Sequence, residues 1–474
     1  MRSSGGDIYR FGPFQLDSGR RRLLRGTDPV LLPDRHLEIL LQLAANAGRT
    51  ISKDDLIAAA WQDVAVAYNS IEQAISSLRK MLGTQADGAP YIETLTRRGY
   101  RFSAAVERGK ARESDASLDS LLAPYRAFVE GRAALETLDR DAVTRARAAF
   151  AQALQAEPDY AAAHVGMANA CALGFESTRA HAAPDFETLR RAVHHAREGC
   201  RLDPSCGEAW STLAFALHRS GSAAEAIAAA RKAVTLDGGN WHHHLRLAFV
   251  SWGEERLRAA HRVLALCPGL ALAHWFAATV FVGRQAFDAA VEELRPGCAS
   301  QDSQRSESGR FKAVGLHLLH GLVLTARGDQ DAALEEFTRE LEFEGDGQLY
   351  ARECAANTWY AIGAVHLTAG RREDADAAFH EALNRVPGHP LAGALCGAAQ
   401  PLPAMNNMDV AMASAATLVL DGRHNDAARL CGEALVQAEP GPAGWILPVE
   451  PVLKPSHHPD AWARTLAILR DRAA

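Results

Sequence analysis

The chain is poor in aromatic side chains, which make up 7% of its 474 residues. That shortage, beside abundant alanine, argues against a β-sandwich and for closely packed helices. Long apolar runs are absent. The longest, LALAHWFAATVFVG at 270–283, carries His274 and falls short of the ~20 residues a bilayer span needs. The opening MRSSGGDIYRFG has no apolar stretch, so no signal peptide is expected. These absences predict a cytoplasmic protein with no membrane attachment. The eight cysteines include no C-x-x-C pair, which predicts a reducing compartment and no disulfide framework.

Catalytic signatures are missing too. There is no G-x-x-x-x-G-K-[ST] phosphate loop, no G-x-S-x-G elbow and no G-x-G-x-x-G after a strand. The histidine runs 194–195, 242–244 and 457–458 are consecutive, whereas a helical zinc motif spaces its ligands at i, i+4. The expectation is a non-enzyme with no catalytic residues, no cofactor and no metal site. Strong charge of one sign is also lacking, but the net charge of −6 is unevenly spread. Residues 1–106 hold 14 Lys+Arg against 11 Asp+Glu, and the remainder 37 against 46. A mildly basic head on an acidic body is compatible with nucleic-acid binding by the head alone.

In residues 1–106, YRFGPFQL and RRRLLRGTDPVLL alternate in period two and read as short antiparallel strands. PDRHLEILLQLAANAG sets Leu37, Leu40, Leu41 and Ala44 on one helical face and ends at Gly48. ISKDDLIAAAW follows, with Ser52 as N-cap and Asp54 and Asp55 in the first turn. NSIEQAISSLRKMLG repeats Ile71, Ile75, Leu78 and Leu82 along one face, opposite Asn69, Ser70, Gln73, Ser76, Ser77 and Lys80. YIETLTRRGYRFSAAV reads as a hairpin with basic residues at its turn. Three helices followed by a hairpin make a winged-helix order. The third helix fits a major groove about 12 Å wide, where small polar side chains reach base edges.

LPDRHLEILLQLAANAGRTISKDDLIAAAW, NSIEQAISSLRKMLG and PYIETLTRRGYRF, in that order over about 95 residues, resemble the DNA-binding effector domain of OmpR/PhoB-type regulators. The resemblance is to the CadC-like and HilA-like branch, which puts this domain first. It implies an α+β fold with a four-stranded N-terminal sheet, three helices and a hairpin wing. It also implies double-stranded DNA as partner, with Asn69, Ser70, Gln73, Ser77 and Lys80 facing it. Ser76 and Ser77 stand where many relatives carry Arg. Thr96, Arg97 and Arg98 would contact the DNA backbone, Tyr100 and Phe102 would be core, and Gln62–Tyr68 would be the loop that meets RNA polymerase. No acidic cluster of a phosphate-receiver domain precedes this region.

Residues 107–124, ERGKARESDASLDSLLAP, are charged and without sustained periodicity, and read as a linker. From 125 to 474 the chain repeats itself. Trp210, Leu213, Gly221, Ala226 and Ala230 occupy the same offsets as Trp359, Ile362, Gly370, Ala375 and Phe379. HLLHGLVLTARGDQDAALEEF and ASAATLVLDGRHNDAARLCGEAL follow the same scheme. This resembles the tetratricopeptide repeat, and about eight repeats, some degenerate, would build an α-solenoid. The polar stretch CASQDSQRSESGR reads as an inserted mobile loop, and the last helix as a cap. Helical register puts Leu245, Phe249, Trp252, Trp275, Val282, Leu318, Leu322, Tyr360 and Met412 on the concave face. Two readings stay open for that face: a groove for an apolar protein segment or a second copy, or burial by superhelical closure. The function expected is a sequence-specific transcription regulator whose repeats sense a partner or mediate assembly. The alternative is an interaction scaffold whose winged helix no longer binds DNA.

Overall fold

A computed structural model of the chain describes residues 7–19, 21–26, 28–60, 68–85, 87–96, 98–110, 116–135, 140–181, 183–304, 312–345, 349–397 and 407–474. The chain divides into two compact units, Met1–Val129 and Glu130–Ala474.

The first unit opens with β1 (Asp7–Phe11), β2 (Phe14–Asp17), β3 (Arg22–Arg25) and β4 (Asp28–Val30), an antiparallel meander. Then come α1 (Asp34–Ala45), β5 (Thr50–Ile51), α2 (Lys53–Ala60) and α3 (Tyr68–Leu82). Strands β6 (Ile92–Leu95) and β7 (Gly99–Phe102) form the hairpin, with β5 paired on β7. Leu37, Leu40, Leu41 and Ala44 are buried as the period requires, and Ile39 and Leu43 join them because α1 is covered on two sides. Phe11, Phe14, Tyr91 and Phe102 form an aromatic knot, Phe11 and Phe102 meeting edge-on at 4.9 Å. Ser52 does cap α2: its Oγ accepts from the Asp55 amide at 3.1 Å.

The sheet departs from expectation. The segment read as a linker begins with β8 (Glu107–Lys110), which pairs antiparallel with β1 from Asp7↔Lys110 to Arg10↔Glu107. The order is β4-β3-β2-β1-β8, five strands rather than four. A four-stranded meander would leave the outer edge of β1 unpaired, and an open edge attracts another strand. Arg108 reinforces the pairing through an ion pair with Asp7 at 2.5 Å. Beyond it, α4 (Ala116–Ala134) runs through Pro124, so the end of the supposed linker is helical. Residues 111–115 lie outside the described residues.

The second unit is helical. After α5 (Arg140–Ala156), seven antiparallel hairpins follow among the described residues. They are α6 (Ala161–Glu176) with α7 (Phe186–Leu202), α8 (Gly207–Arg219) with α9 (Ala223–Leu236), and α10 (Trp241–Val250) with α11 (Gly253–Leu266). Next are α12 (Ala271–Gly283) with α13 (Phe287–Ser303), α14 (Leu316–Arg327) with α15 (Gln330–Leu341), and α16 (Ala351–Thr368) with α17 (Arg372–Arg385). The short α18 (Pro390–Leu395) precedes the last, α19 (Asn407–Leu420) with α20 (His424–Gln437), and α21 (Pro459–Arg472) ends the chain. The repeat's glycine has a steric purpose. A Cβ at Gly321 would lie 2.4 Å from Cε1 of Phe337, and at Gly363 2.6 Å from Cε1 of Phe379. The ring from one helix fills the space the other helix leaves, at the same offset in both hairpins. CASQDS is not loop: α13 continues through Ser303.

The repeats close on themselves. Glu176 at the end of α6 accepts from Tyr350 Oη at 2.8 Å, and Arg179 pairs with Glu353 of α16. Arg284, after α12, donates to the Ala473 carbonyl at 2.7 Å, and Gln285 to that of Leu466 at 3.0 Å. The final helix therefore caps α20 and also returns to the middle of the array.

Candidate nucleic-acid interface

Helix α3 has two faces with different fates. Ile71, Ile75, Leu78 and Leu82 are fully buried, while Gln73, Ser76, Ser77 and Lys80 are exposed and Ser70 is half-buried. The exposed group forms one polar, uncrowded surface. Glu72 beside it carries the wrong charge for a phosphate neighbour, but Lys53 Nζ holds its carboxylate at 2.6 Å. The Asn69 side chain and residues 62–67 of the expected polymerase-contacting loop lie outside the described residues.

The wing is fastened to this helix by a residue that periodicity could not single out. Arg79 Nε donates to the Ile92 carbonyl at 2.9 Å and its Nη2 to Thr94 Oγ1 at 2.7 Å. Across the hairpin, Arg101 pairs with Glu93 at 2.6 Å. Thr96 and Arg98 are exposed at the turn, where the Arg98 amide donates to the Leu95 carbonyl at 2.9 Å. Arg97 lies outside the described residues. Tyr100 and Phe102 are buried. Gly99 is forced: φ is +118°, and a Cβ there would sit 2.0 Å from the Ile51 carbonyl oxygen. The wing thus approaches β5 backbone to backbone and leaves its basic turn in solvent. Exposed side chains on one helix and on a neighbouring turn can address base edges and phosphates respectively.

The concave face of the repeats is a different matter. Of the two readings, the structure has closure. Leu245, Leu322, Tyr360 and Met412 are buried, and Phe249, Trp252, Trp275 and Leu318 are only partly accessible. Phe249 lies under the Arg219 guanidinium, 4.8 Å from its ring centre, and meets Phe215 at 5.2 Å. The Arg256 guanidinium covers Trp252 at 4.7 Å. Trp445 meets Trp275 edge-on at 5.7 Å, and Ile446 and Val449 join the cluster of Leu318 and Leu322. Tyr360 donates its hydroxyl to the buried carboxylate of Glu450, which also accepts from the amides of Val452 at 3.0 Å and Leu453 at 2.6 Å. The expectation that Phe249, Trp252, Trp275, Leu318, Leu322 and Tyr360 line an open groove is therefore corrected. Apolar side chains are more stable covered than wet: Arg219 and Arg256 lie over Phe249 and Trp252, and the segment after α20 packs on Trp275, Leu318, Leu322 and Tyr360.

Comparison with known proteins agrees with this division. Residues 27–102 match the family described as transcriptional regulatory protein, C terminal, and residues 207–240 match a tetratricopeptide repeat. The chain is 29% identical over 100 residues to the transcriptional activator CadC of Escherichia coli, covering 21% of this chain and 20% of that protein. It is 38% identical over 95 residues to the cholera toxin transcriptional activator of Vibrio cholerae, covering 19% and 32%. The chain thus matches between a fifth and a third of the length of these two relatives. The solved DNA-binding domain of E. coli CadC aligns at 28% identity with a TM-score of 0.20, over 22% of this chain and 98% of that one. No helix among the described residues is long and apolar enough to cross a membrane. The chain therefore carries an OmpR/PhoB-type winged-helix domain of the kind found in CadC-like and HilA-like activators, followed by an array of tetratricopeptide-like repeats.

Proposed function

We propose that the protein is a sequence-specific DNA-binding transcription regulator. Helix α3 enters the major groove of double-stranded DNA, with Gln73, Ser76, Ser77 and Lys80, flanked by Asn69 and Ser70, toward base edges. The wing turn, Thr96 to Arg98, lies along the phosphate backbone. The observation that carries the reading is the exposed polar face of α3 locked to the wing by Arg79. An amphipathic helix serving only as a packing element would not need its outer face held in register with a basic turn. The relatives matched over this domain are named as transcriptional activators, which supports the same reading. Contact with RNA polymerase through 62–68 rests on the resemblance alone.

The repeats are the part that receives a signal, by recognising a protein partner or by pairing copies of the chain. Their acidic balance, 37 Lys+Arg against 46 Asp+Glu beyond residue 106, disfavours DNA as their ligand. No catalytic role is assigned to either unit. The test is selection of bound sequences from a random DNA pool with the full chain, followed by titration at several salt concentrations. A reproducible preferred sequence, bound less tightly as salt rises, is the expected outcome. Recovery of no preferred sequence, with binding no stronger than to arbitrary DNA, overturns sequence-specific recognition.

A further inference from the structure

Three successive helices of the array bring a thiol, an imidazole and a carboxylate together. Cys298 lies on α13, His317 on α14 and Glu336 on α15, and their ligand atoms all fall within 4.8 Å of one another. Cys298 and His317 are buried and Glu336 is half-buried. Gly297 makes the approach possible: a Cβ there would stand 2.3 Å from Leu316 Cδ2 and 2.9 Å from His274 Cβ. His317 Nδ1 faces Glu336 Oε2 at 2.6 Å, while its Nε2 lies 3.0 Å from Asp302 Oδ1, one turn beyond Cys298. His320 sits one turn after His317 and points its Nδ1 at the same Glu336 oxygen, 3.4 Å away. That nitrogen is buried and makes no hydrogen bond.

We propose that Cys298, His317 and Glu336 bind a zinc(II) ion, with His320 as the neighbouring fourth donor. A thiolate and a carboxylate carry two negative charges, and two neutral imidazoles add none, so a divalent ion leaves the group neutral. Sulfur, nitrogen and one carboxylate oxygen are the donors zinc takes in four-coordinate sites, and the thiolate argues against magnesium or calcium. On binding, the thiol and any imidazolium protons pass to water. Asp302 completes the arrangement by accepting from His317 Nε2–H, which holds the ring with Nδ1 toward the ion. The entry side is set by the exposed Asp302 and the half-buried Glu336.

The preceding hairpin supplies an internal contrast. His274 and Glu293 occupy the same offset as His317 and Glu336, their Nδ1 and Oε2 2.8 Å apart, and His261 also reaches Glu293. A His–Glu tie is thus common to both repeats, and only the second is accompanied by a cysteine.

The test uses the full chain, stripped with a chelator and titrated with cobalt(II) as a coloured stand-in, then with zinc(II). We expect one cobalt ion per chain with a thiolate-to-cobalt absorption band, bleached by zinc. Cys298→Ser loses the band. Asp302→Asn keeps it but weakens zinc binding about 10–100-fold, and Glu293→Gln leaves both unchanged. Circular dichroism of each metal-free variant checks that the helices persist, and Asp302→Asn, which removes no ligand, covers the case in which Cys298→Ser unfolds. Absence of the band in the native chain, or zinc binding undiminished in folded Cys298→Ser, overturns the proposal. The cluster would then be a proton-holding ion-pair tie like that of His274 and Glu293.

Discussion

Arg79 Nη2 donates to Thr94 Oγ1 at 2.7 Å, joining the exposed-faced helix α3 to the first strand of the wing. With the bond from Nε to the Ile92 carbonyl, this guanidinium is committed to protein. Arg79→Met keeps the stem and removes both bonds, and should lower the stability of the first unit by about 1–3 kcal/mol. DNA affinity should fall as the wing loses its register. The slope of log K against log salt should stay as it was, because no phosphate contact is lost. Arg97→Ala with Arg98→Ala, which removes the two charges assigned to the phosphate backbone, should instead flatten that slope by roughly 2. Salt titrations of both variants decide the matter, and a flattened slope in Arg79→Met would show that Arg79 meets a phosphate.

Gln73 is exposed at the middle of the outer face of α3. A glutamine there can pair twice with adenine, which discriminates by about 1–3 kcal/mol against the wrong base. Gln73→Ala should therefore change the preferred sequence at one or two positions while affinity for arbitrary DNA holds. Selected-site profiles of the two proteins provide the comparison, and identical profiles would mean that another element reads the bases.

The pairing of β8 on β1 makes a prediction about truncation. A fragment of residues 1–129 should fold and bind DNA without the repeats. A fragment of residues 1–106 lacks β8 and leaves the edge of β1 open. It should melt at lower temperature and self-associate more. Thermal denaturation and size-exclusion chromatography of the two fragments test this, and equal stability would make β8 an ornament.

Burial raises the carboxyl of Glu450 above its ordinary pKa of 4.5, against the opposing bonds from Tyr360 and the Val452 and Leu453 amides. Below the ordinary value both folded and unfolded chains hold the proton. Between that value and the raised one, only the folded chain does, so stability falls as pH rises through the window. Glu450→Gln removes the charge: its single oxygen can keep the bonds from the Val452 and Leu453 amides while its NH2 donates to Tyr360 Oη, so the pH-dependent component should disappear. The difference between native and variant denaturation midpoints should grow across the window and then level off. A difference independent of pH would count against a strained carboxylate. Glu450→Ala, which leaves Tyr360 and two amides unpartnered in the interior, should instead destabilise the repeats by about 2–4 kcal/mol at any pH.

Much of this was readable from the chain alone. The period of Ile71, Ile75, Leu78 and Leu82 determined α3 and its buried side, and therefore which polar residues face outward. Ser52, Gly48 and the recurring small residues of the repeats announced their turns and hairpins, because capping, chirality and helix contact act over a few residues. Tertiary structure alone decided the rest. ERGK has no pattern long enough to declare a strand, and becomes β8 only because β1 offers an unpaired edge. Arg79 looks like any half-exposed basic residue until the wing arrives beside it. The apolar concave face could be open or closed on sequence grounds, and only the return of Trp445 to Glu450 across the array covers it. Cys298, His317 and Glu336 are separated along the chain by more than a helix each, so no spacing rule finds them. Contacts of that range depend on how hairpins stack in three dimensions, which local periodicity does not encode.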